Sequence, residues 1–309
     1  MDFRQLQYLT AVAEYQNVTK AAESLYISQS ALSHFIRKTE EELGVALFDR
    51  STVPISLTYA GKCYVETARR ILLENEKLMK ELREISENMT GVLKIGVSRD
   101  RASYIMPRLV RDFNMLYPGI QVDIFTQSGQ RLREALKSGR IDLMLLPSDG
   151  QEEDPMFRCQ RLYKEEILFC AAKGTVLREE LIPGYQSVVS VPALHEKPFY
   201  LLNKEHAIRE FCDRFFKKNH IKPDIRSELS SSVTCYRMAA AGLACAMVPY
   251  MTTQLAMPGM EVELYSLGEQ PVTWDVNMYY RKDAYLGHPE LDMIRLAQTL
   301  FSREMLPRK

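Results

Sequence analysis

Apolar residues recur every three or four positions from the start of the chain to about Asn88, then give way to alternation and short apolar runs. That change predicts a helical N-terminal part followed by an α/β remainder. Residues 3 to 16 read as a first helix, with Phe3, Leu6, Leu9, Val12 and Ala13 inward. Thr19 can cap a second, short helix whose Ala21, Ala22 and Leu25 face inward, the small Ala pair allowing a close helix approach. Tyr26 and Ile27 interrupt the period, and Ser28 offers a new N-cap for a helix from Gln29 to about Glu42. Leu32, Ile36, Thr39 and Leu43 form its buried stripe. Val45 to Leu57 reads as a two-stranded wing with Pro54, which cannot donate to a ladder, at the tip.

Thr58 then caps a long helix running to about Asn88, with no Gly or Pro after Gly61. Along it Tyr64, Ala68, Ile71, Asn75, Leu78, Leu82 and Ile85 are spaced by four and three, a heptad seam with one polar interruption at Asn75 that would fix register. Such a seam either pairs with a second copy, through Ile71, Asn75, Leu78 and Leu82, or lies on its own domain.

Gly91 ends the helical regime. Val92 to Ser98 alternates as a strand, followed by a helix entered near Ser103, with Pro107 in its first turns, that runs to Tyr117. Strands at Ile120–Gln127 and Ile141–Leu146 flank a helix at Gln130–Ser138. The alternation resumes with strands at Glu166–Ala172, Phe199–Leu202, Asp224–Leu229, Ala244–Val248, Glu261–Leu267 and Val272–Tyr280. Helices are expected at His206–Lys218, Ser232–Ala241 and Pro289–Leu300. Strand and helix in turn imply a largely parallel sheet buried on both faces.

Composition changes this picture little. The 309 residues leave room for two or three domains, and 40 basic against 40 acidic residues create no global field toward nucleic acid or membrane. The N-terminus MDFRQLQYL is no signal peptide, and no apolar run is long enough to span a bilayer, so a soluble, cytoplasmic protein is expected. Six cysteines without CxxC spacing read as reduced, buried thiols, a redox-sensing pair being the alternative. Five scattered histidines, with no pair at i and i+4, suggest no metal site, and no cofactor is expected.

The stretch from Val18 to Gly44 carries the first candidate chemistry. Gln29, Ser30, Ser33, His34 and Arg37 lie off the buried stripe, at the end of a helix that follows a sharp turn. Short hydrogen-bonding groups in that position suit a recognition helix in a major groove. Two amphipathic helices joined by a turn also occur in proteins that never touch DNA. Charge does not choose between them, because up to Ala60 Arg4, Lys20, Arg37, Lys38 and Arg50 stand against Asp2, Glu14, Glu23, Glu40, Glu41, Glu42 and Asp49. With seven acids to five bases, placement has to matter more than total, the three consecutive glutamates pointing away from the groove.

The segment resembles the N-terminal domain of the LysR-type transcriptional regulators. The likeness comprises Ala21 and Ala22, the run SQSALS from Ser28 to Ser33, ELG from Glu42 to Gly44, LFDR from Leu47 to Arg50 and LTYAG from Leu57 to Gly61. Two departures stand out. Thr39 sits where the family usually has Leu, worth on the order of 1 kcal/mol of burial. The wing reads STVPIS, without the basic residues common there, leaving Arg50, hydroxyls and amides for phosphates. Weaker likeness continues through YPGIQV, SGRIDLML and AAAGLACAMVP.

The resemblance implies a mixed fold: a winged helix-turn-helix at 1–58, a linker and dimerisation helix at 59–89, and an α/β effector-binding domain at 91–309. That domain would resemble periplasmic binding proteins, with lobe I at 91–162 and 268–309, lobe II at 163–267, and two crossover strands as the hinge. DNA contacts would fall to Thr19, Ser28, Gln29, Ser30, Ser33, His34, Arg37 and Arg50. The linker helix would pair with its twin, so the resemblance implies a homodimer and points to a homotetramer on an interrupted near-palindromic operator, with RNA polymerase as a further partner.

Ligands of open α/β sheets sit outside the carboxyl ends of the strands. Polar groups expected there are Ser98, Arg99, Ser103, Gln127, Ser128 and Ser148 from one lobe. From the other come Tyr200, Asn203, Ser230, Ser231 and Thr234. Hydroxyls and free amides at helix N-termini suit a small anion such as a carboxylate, although Ser and Thr cap helices in any α/β protein. No Gly-rich phosphate loop, GxSxG elbow or catalytic carboxylate pair argues for an enzyme. A binding protein without DNA would leave the N-terminal segment unexplained. The expectation is a sequence-specific DNA-binding regulator controlled by a small-molecule effector.

Overall fold

In the computed structural model, which describes residues 2–85, 89–148, 154–255 and 262–301, the chain begins on a capping box. The Asp2 carboxylate accepts from the Arg4 amide and the Gln5 side chain accepts from the Asp2 amide, starting α1 (Phe3–Tyr15). Leu6, Leu9 and Val12 are buried; Phe3, expected inward, is half exposed in the first turn. Gln16 turns left-handed and ends α1, so the next residue, Asn17, becomes the cap of α2 (Val18–Ser24), accepting from the Lys20 amide at 3.0 Å. Thr19 is therefore not the cap: Asn serves at least as well, and it stands where the chain leaves α1.

Tyr26, at φ 56°, makes the turn, and Ser28 caps α3 (Gln29–Leu43) by accepting from the Ala31 amide. Leu32, Ile36 and Thr39 are buried, and the Thr39 hydroxyl donates back to the Phe35 carbonyl at 3.0 Å, which satisfies the polar group in the stripe. Leu43 is half exposed, since Gly44 already turns the chain away as a left-handed C-cap.

The wing pairs β1 (Phe48–Asp49) with β2 (Ser56–Leu57) and is held by Glu40. That carboxylate accepts the Leu47 and Phe48 amides at 2.8 and 3.0 Å and the Arg50 guanidinium at 2.8 Å. The first of the three glutamates is thus a bracket between α3 and the wing rather than a solvated acid. Thr58 caps α4 (Tyr59–Ile85) by accepting from the Gly61 amide while donating to the Ala46 carbonyl. Gly61 lies so close to the Leu47 carbonyl oxygen that a Cβ there would overlap it. Tyr64 of α4 packs against this core and Val65 and Ala68 are buried, whereas Leu78 and Leu82 are 51% and 49% exposed. The side chain of Ile85, the last seam position, and Asn88 lie outside the described residues.

A second unit begins at Asn88. Its elements are β3 (Gly91–Val97), α5 (Arg99–Leu116), β4 (Ile120–Thr126), α6 (Gly129–Lys137), β5 (Leu143–Pro147) and β6 (Phe157–Ala172). Then come β7 (Val188–Val189), β8 (Pro198–Leu202), α7 (Ala207–Lys218), β9 (Asp224–Leu229), α8 (Ser232–Ala240) and β10 (Ala246–Pro249). The chain closes with α9 (Tyr250–Gln254), β11 (Val262–Leu267), β12 (Thr273–Arg281) and α10 (His288–Phe301). Glu261, the expected first residue of the penultimate strand, lies outside the described residues.

The sheet order is β4-β3-β5-β12-β6-β11-β7, with β10 also on β6 and a separate parallel pair β8-β9. It is mixed, not largely parallel. Strands β3, β4 and β5 are parallel, but β12 runs against β5 and β6, and β6 runs against β10 and β11. The reason is connectivity: β12 re-enters the first lobe from the second and arrives in the opposite direction. Burial on both faces holds for β5 but not for the edge strand β4, where Ile124 is 40% exposed.

Strand β6 is much longer than expected. Up to Glu166 it pairs with β12 in the first lobe, and from Ile167 onward with β10 and β11 in the second. One continuous strand is thus one crossing between lobes, and the segment between Leu267 and Thr273 is the other. Helix α5 also begins earlier than expected, so Pro107 sits in its middle.

Replacing Glu40 with Ala leaves two wing amides without acceptor and frees Arg50. A loss of about 1–3 kcal/mol from the N-terminal unit is expected, read as a lower urea midpoint by far-UV circular dichroism. An unchanged midpoint would show that the wing is held by its packing alone.

Candidate functional site

The first site is built on α3. Packing of Leu32 and Ile36 against Leu9, Val12, Ala21 and Ala22 fixes which face is left outside. Ser28, Gln29, Ser30, His34 and Arg37 are exposed and Ser33 is half-buried. The Gln29 amide donates to the Ser33 hydroxyl at 2.9 Å, and the Ser28 and Ser30 hydroxyls lie 3.1 Å apart. These residues form one polar cluster over the first two turns, where unpaired amides and the positive end of the helix dipole lie. Thr19, in the second position of α2, is exposed too. Arg50 differs from expectation: its guanidinium is engaged by Glu40 while remaining 46% exposed, so it is first a brace of the wing.

The second site lies where the lobes meet. Parallel strands β3, β4 and β5 end side by side, and Ser98, Gln127, Ser128 and Ser148 follow their carboxyl ends, all half-buried. Ser98 is the N-cap of α5 and Ser128 of α6, neither with a side-chain capping bond. Ser103 is exposed and donates to the Arg99 carbonyl of its own helix, because α5 begins four residues before it. Arg99 is exposed. In the other lobe Asn203 turns the chain from β8 into α7, accepting from the Glu205 amide. Tyr200 is half-buried on β8, whereas Ser230 and Thr234 are exposed.

What joins the two lobes is a set of residues that sequence reasoning passed over. Asp100, in the first turn of α5, reaches the start of α8. Its Oδ2 accepts from the Ser232 amide at 2.8 Å and the Ser232 hydroxyl at 2.6 Å, and Ser231 Oγ donates to Oδ1 at 3.4 Å. Thr252 Oγ1 in turn lies 3.0 Å from Ser232 Oγ. The next residue, Arg101, is fully buried and donates to Glu165 Oε2 at 2.9 Å and to Tyr163 Oη at 2.6 Å. Glu165, with no exposed surface, also accepts from Trp274 Nε1 at 2.8 Å and from the Met251 amide at 3.0 Å.

Burial opposes the charge on Arg101, but the Glu165 and Tyr163 oxygens outweigh it and hold the guanidinium above its ordinary pKa. Burial pushes the Tyr163 hydroxyl up, so it stays neutral. His206, ahead of α7, is lowered by burial, with nearby Asp100 opposing that shift. The signal available in the sequence was RDR from Arg99 to Arg101, which reads as a polar loop unless the helix start is placed before it.

Burial also raises the thiols of Cys170, Cys212, Cys235 and Cys245, which keeps them protonated; Cys63 is exposed and Cys159 half-buried. Among the described residues no group of three or more His, Cys, Asp or Glu could hold a metal ion, and no helix is long and apolar enough to cross a membrane.

Comparison with known proteins decides the family. Residues 3–62 match the model of the bacterial regulatory helix-turn-helix protein, lysR family, and residues 86–302 match the LysR substrate binding domain. The chain belongs to the LysR family. Among its relatives, the HTH-type transcriptional regulator YybE of Bacillus subtilis is 31% identical over 81% of this chain and 82% of its own length. ClcR of Pseudomonas putida is 29% identical over 92% and 94%. Among solved structures, full-length OxyR from Pseudomonas aeruginosa superposes with a TM-score of 0.70 at 22% identity, covering 97% of both chains. Full-length CbnR complexed with its target DNA gives 0.62 at 22% identity, covering 97% of this chain and 99% of that one. As a LysR-family protein the chain is a DNA-binding transcriptional regulator with a two-lobed α/β effector-binding domain.

Arg101→Met leaves Glu165 buried without its cation and is expected to cost about 3–5 kcal/mol. The single tryptophan, Trp274, touches Glu165, so its fluorescence in a urea titration reads this unit directly. A midpoint equal to that of the wild type would mean that the pair is not closed in solution.

Proposed function

We propose that the chain is a one-component regulator. In this reading α3 reads an operator through Gln29, Ser30, Ser33 and His34, with Arg37, Thr19, Ser28 and the exposed part of Arg50 on the backbone. The observation that carries it is the polar cluster over the first turns of α3, held outward by the burial of Leu32, Ile36 and Thr39. Base edges of the major groove suit amide and hydroxyl groups, which explains how a segment with more acids than bases can select DNA.

Two copies would join along α4. Leu78, Met79 and Leu82 form an uncovered apolar stretch there, with Ile71 half-buried and Asn75 exposed on the same run. A heptad spacing with one Asn suits a helix pair of fixed register, and pairing would place two α3 helices on an interrupted near-palindrome. A dimer of such dimers, acting in the cytoplasm on RNA polymerase at the promoter, completes the reading.

The effector would be a small anion between the lobes, near Ser98, Gln127, Ser128, Ser148, Asn203 and Ser231. The polar groups there are hydroxyls and side-chain amides beside the Asp100 carboxylate, which already accepts the Ser232 amide, and this supports a binding role rather than turnover. No cofactor is needed for it.

Gln29→Ala is expected to cost about 1–3 kcal/mol on the cognate operator and far less on random DNA, measured by fluorescence anisotropy. Equal losses on both would remove Gln29 from the reading set. Replacing Leu78 and Leu82 together with Lys is expected to yield folded monomers by sedimentation, with weak binding to a paired site because the linked second event is lost. A dimer that survives this change would place the interface elsewhere.

A further inference from the structure

The first amides of a helix have no partner within it, and their dipoles favour an anion. At α8 that place is already taken, and by a residue of the opposite lobe. Asp100 receives the Ser232 amide, the Ser232 hydroxyl and the Ser231 hydroxyl, and the Ser232 hydroxyl is itself backed by Thr252. Ser232 and Thr252 are buried, so this is an enclosed, ordered contact and not a surface encounter. It sits one residue before Arg101, whose buried pair with Glu165 anchors the same turn of α5.

We propose that Asp100 is an internal ligand, its carboxylate occupying the start of α8 and clasping the two lobes together. The proposal rests on the reading that an effector binds between the lobes, and it adds how that site is regulated. An external carboxylate at α8 needs the donors that Asp100 now holds, so effector and clasp exclude one another. Once released, Asp100 still faces the positive end of its own helix dipole in the first turn of α5. Binding then opens a contact between lobes instead of adding one.

The test uses the full chain, with Asp100→Ala and the isosteric Asp100→Asn, and takes sodium acetate as the carboxylate probe with sodium chloride at equal ionic strength as control. Thermal unfolding is followed by Trp274 fluorescence. For Asp100→Ala a midpoint lower by about 3–8 °C is expected, with acetate raising it saturably and chloride not. Wild type and Asp100→Asn should show no acetate-specific gain, because their side chains still fill the place. A wild-type midpoint in Asp100→Ala, or equal responses to acetate and chloride, overturns the clasp. If Asp100→Ala does not fold, Ser232→Ala replaces it: a lowered midpoint is expected, and an unchanged one overturns the proposal. Operator binding by the wild type is measured in parallel, so failure of the regulator reading shows there and failure of the clasp shows only in the variants.

Discussion

A guanidinium closed off from water has to be answered by an anion, and the pairing of Arg101 with Glu165 governs the second unit. Glu165 lies on β6 two residues before Ile167, where the strand changes partners from lobe to lobe, and it also accepts from Trp274 of β12 and the Met251 amide at the start of α9. One buried acid therefore ties a helix of the first lobe, both strands at the crossing and a helix of the second lobe. Such a pair adds little net stability over well-packed apolar groups, but it tolerates only one arrangement of its partners. Here that arrangement places the first turn of α5, and with it Asp100, against α8.

The same logic, a carboxylate bracketing backbone amides, recurs in the N-terminal unit. Glu40 holds the wing to α3 by accepting two amides and one guanidinium. Both units thus use acids that a count of charges treats as surface. That is why the net balance of the first segment says little about DNA: one of its acids is occupied internally, and its bases are few but exposed. Recognition then falls to neutral hydrogen-bonding side chains, which suit base edges better than they suit the phosphate field.

Much of this was legible in the sequence where apolar spacing is strong. Helix α3 with Leu32, Ile36 and Thr39, the cap at Ser28, strands β5 and β9 and helix α7 follow from period and capping alone. What stayed hidden was polar residues doing buried work. Arg99 to Arg101 reads as a loop, which starts α5 a turn late and leaves the cross-lobe contact of Asp100 and the buried pair of Arg101 out of view. The first half of β6 lacks a continuous apolar face, because Arg158, Arg161 and Lys164 are exposed among its buried residues. The reversed strand β12 could not be read from local pattern, since direction is set by connectivity. Of the residues expected to line the cleft, Ser231 is held between the lobes, while Ser103, Ser230 and Thr234 face outward.

The central claim is that two acids from α5 and β6, Asp100 and Glu165, hold the starts of α8 and α9. Amide hydrogen exchange at Ser232 and Met251 tests it most directly, because amides in a first helical turn have no intrahelical acceptor and exchange quickly when left to solvent. The account predicts that both amides are protected as strongly as those of the buried strand β5. Exchange of both at the rate of open first-turn amides would contradict it.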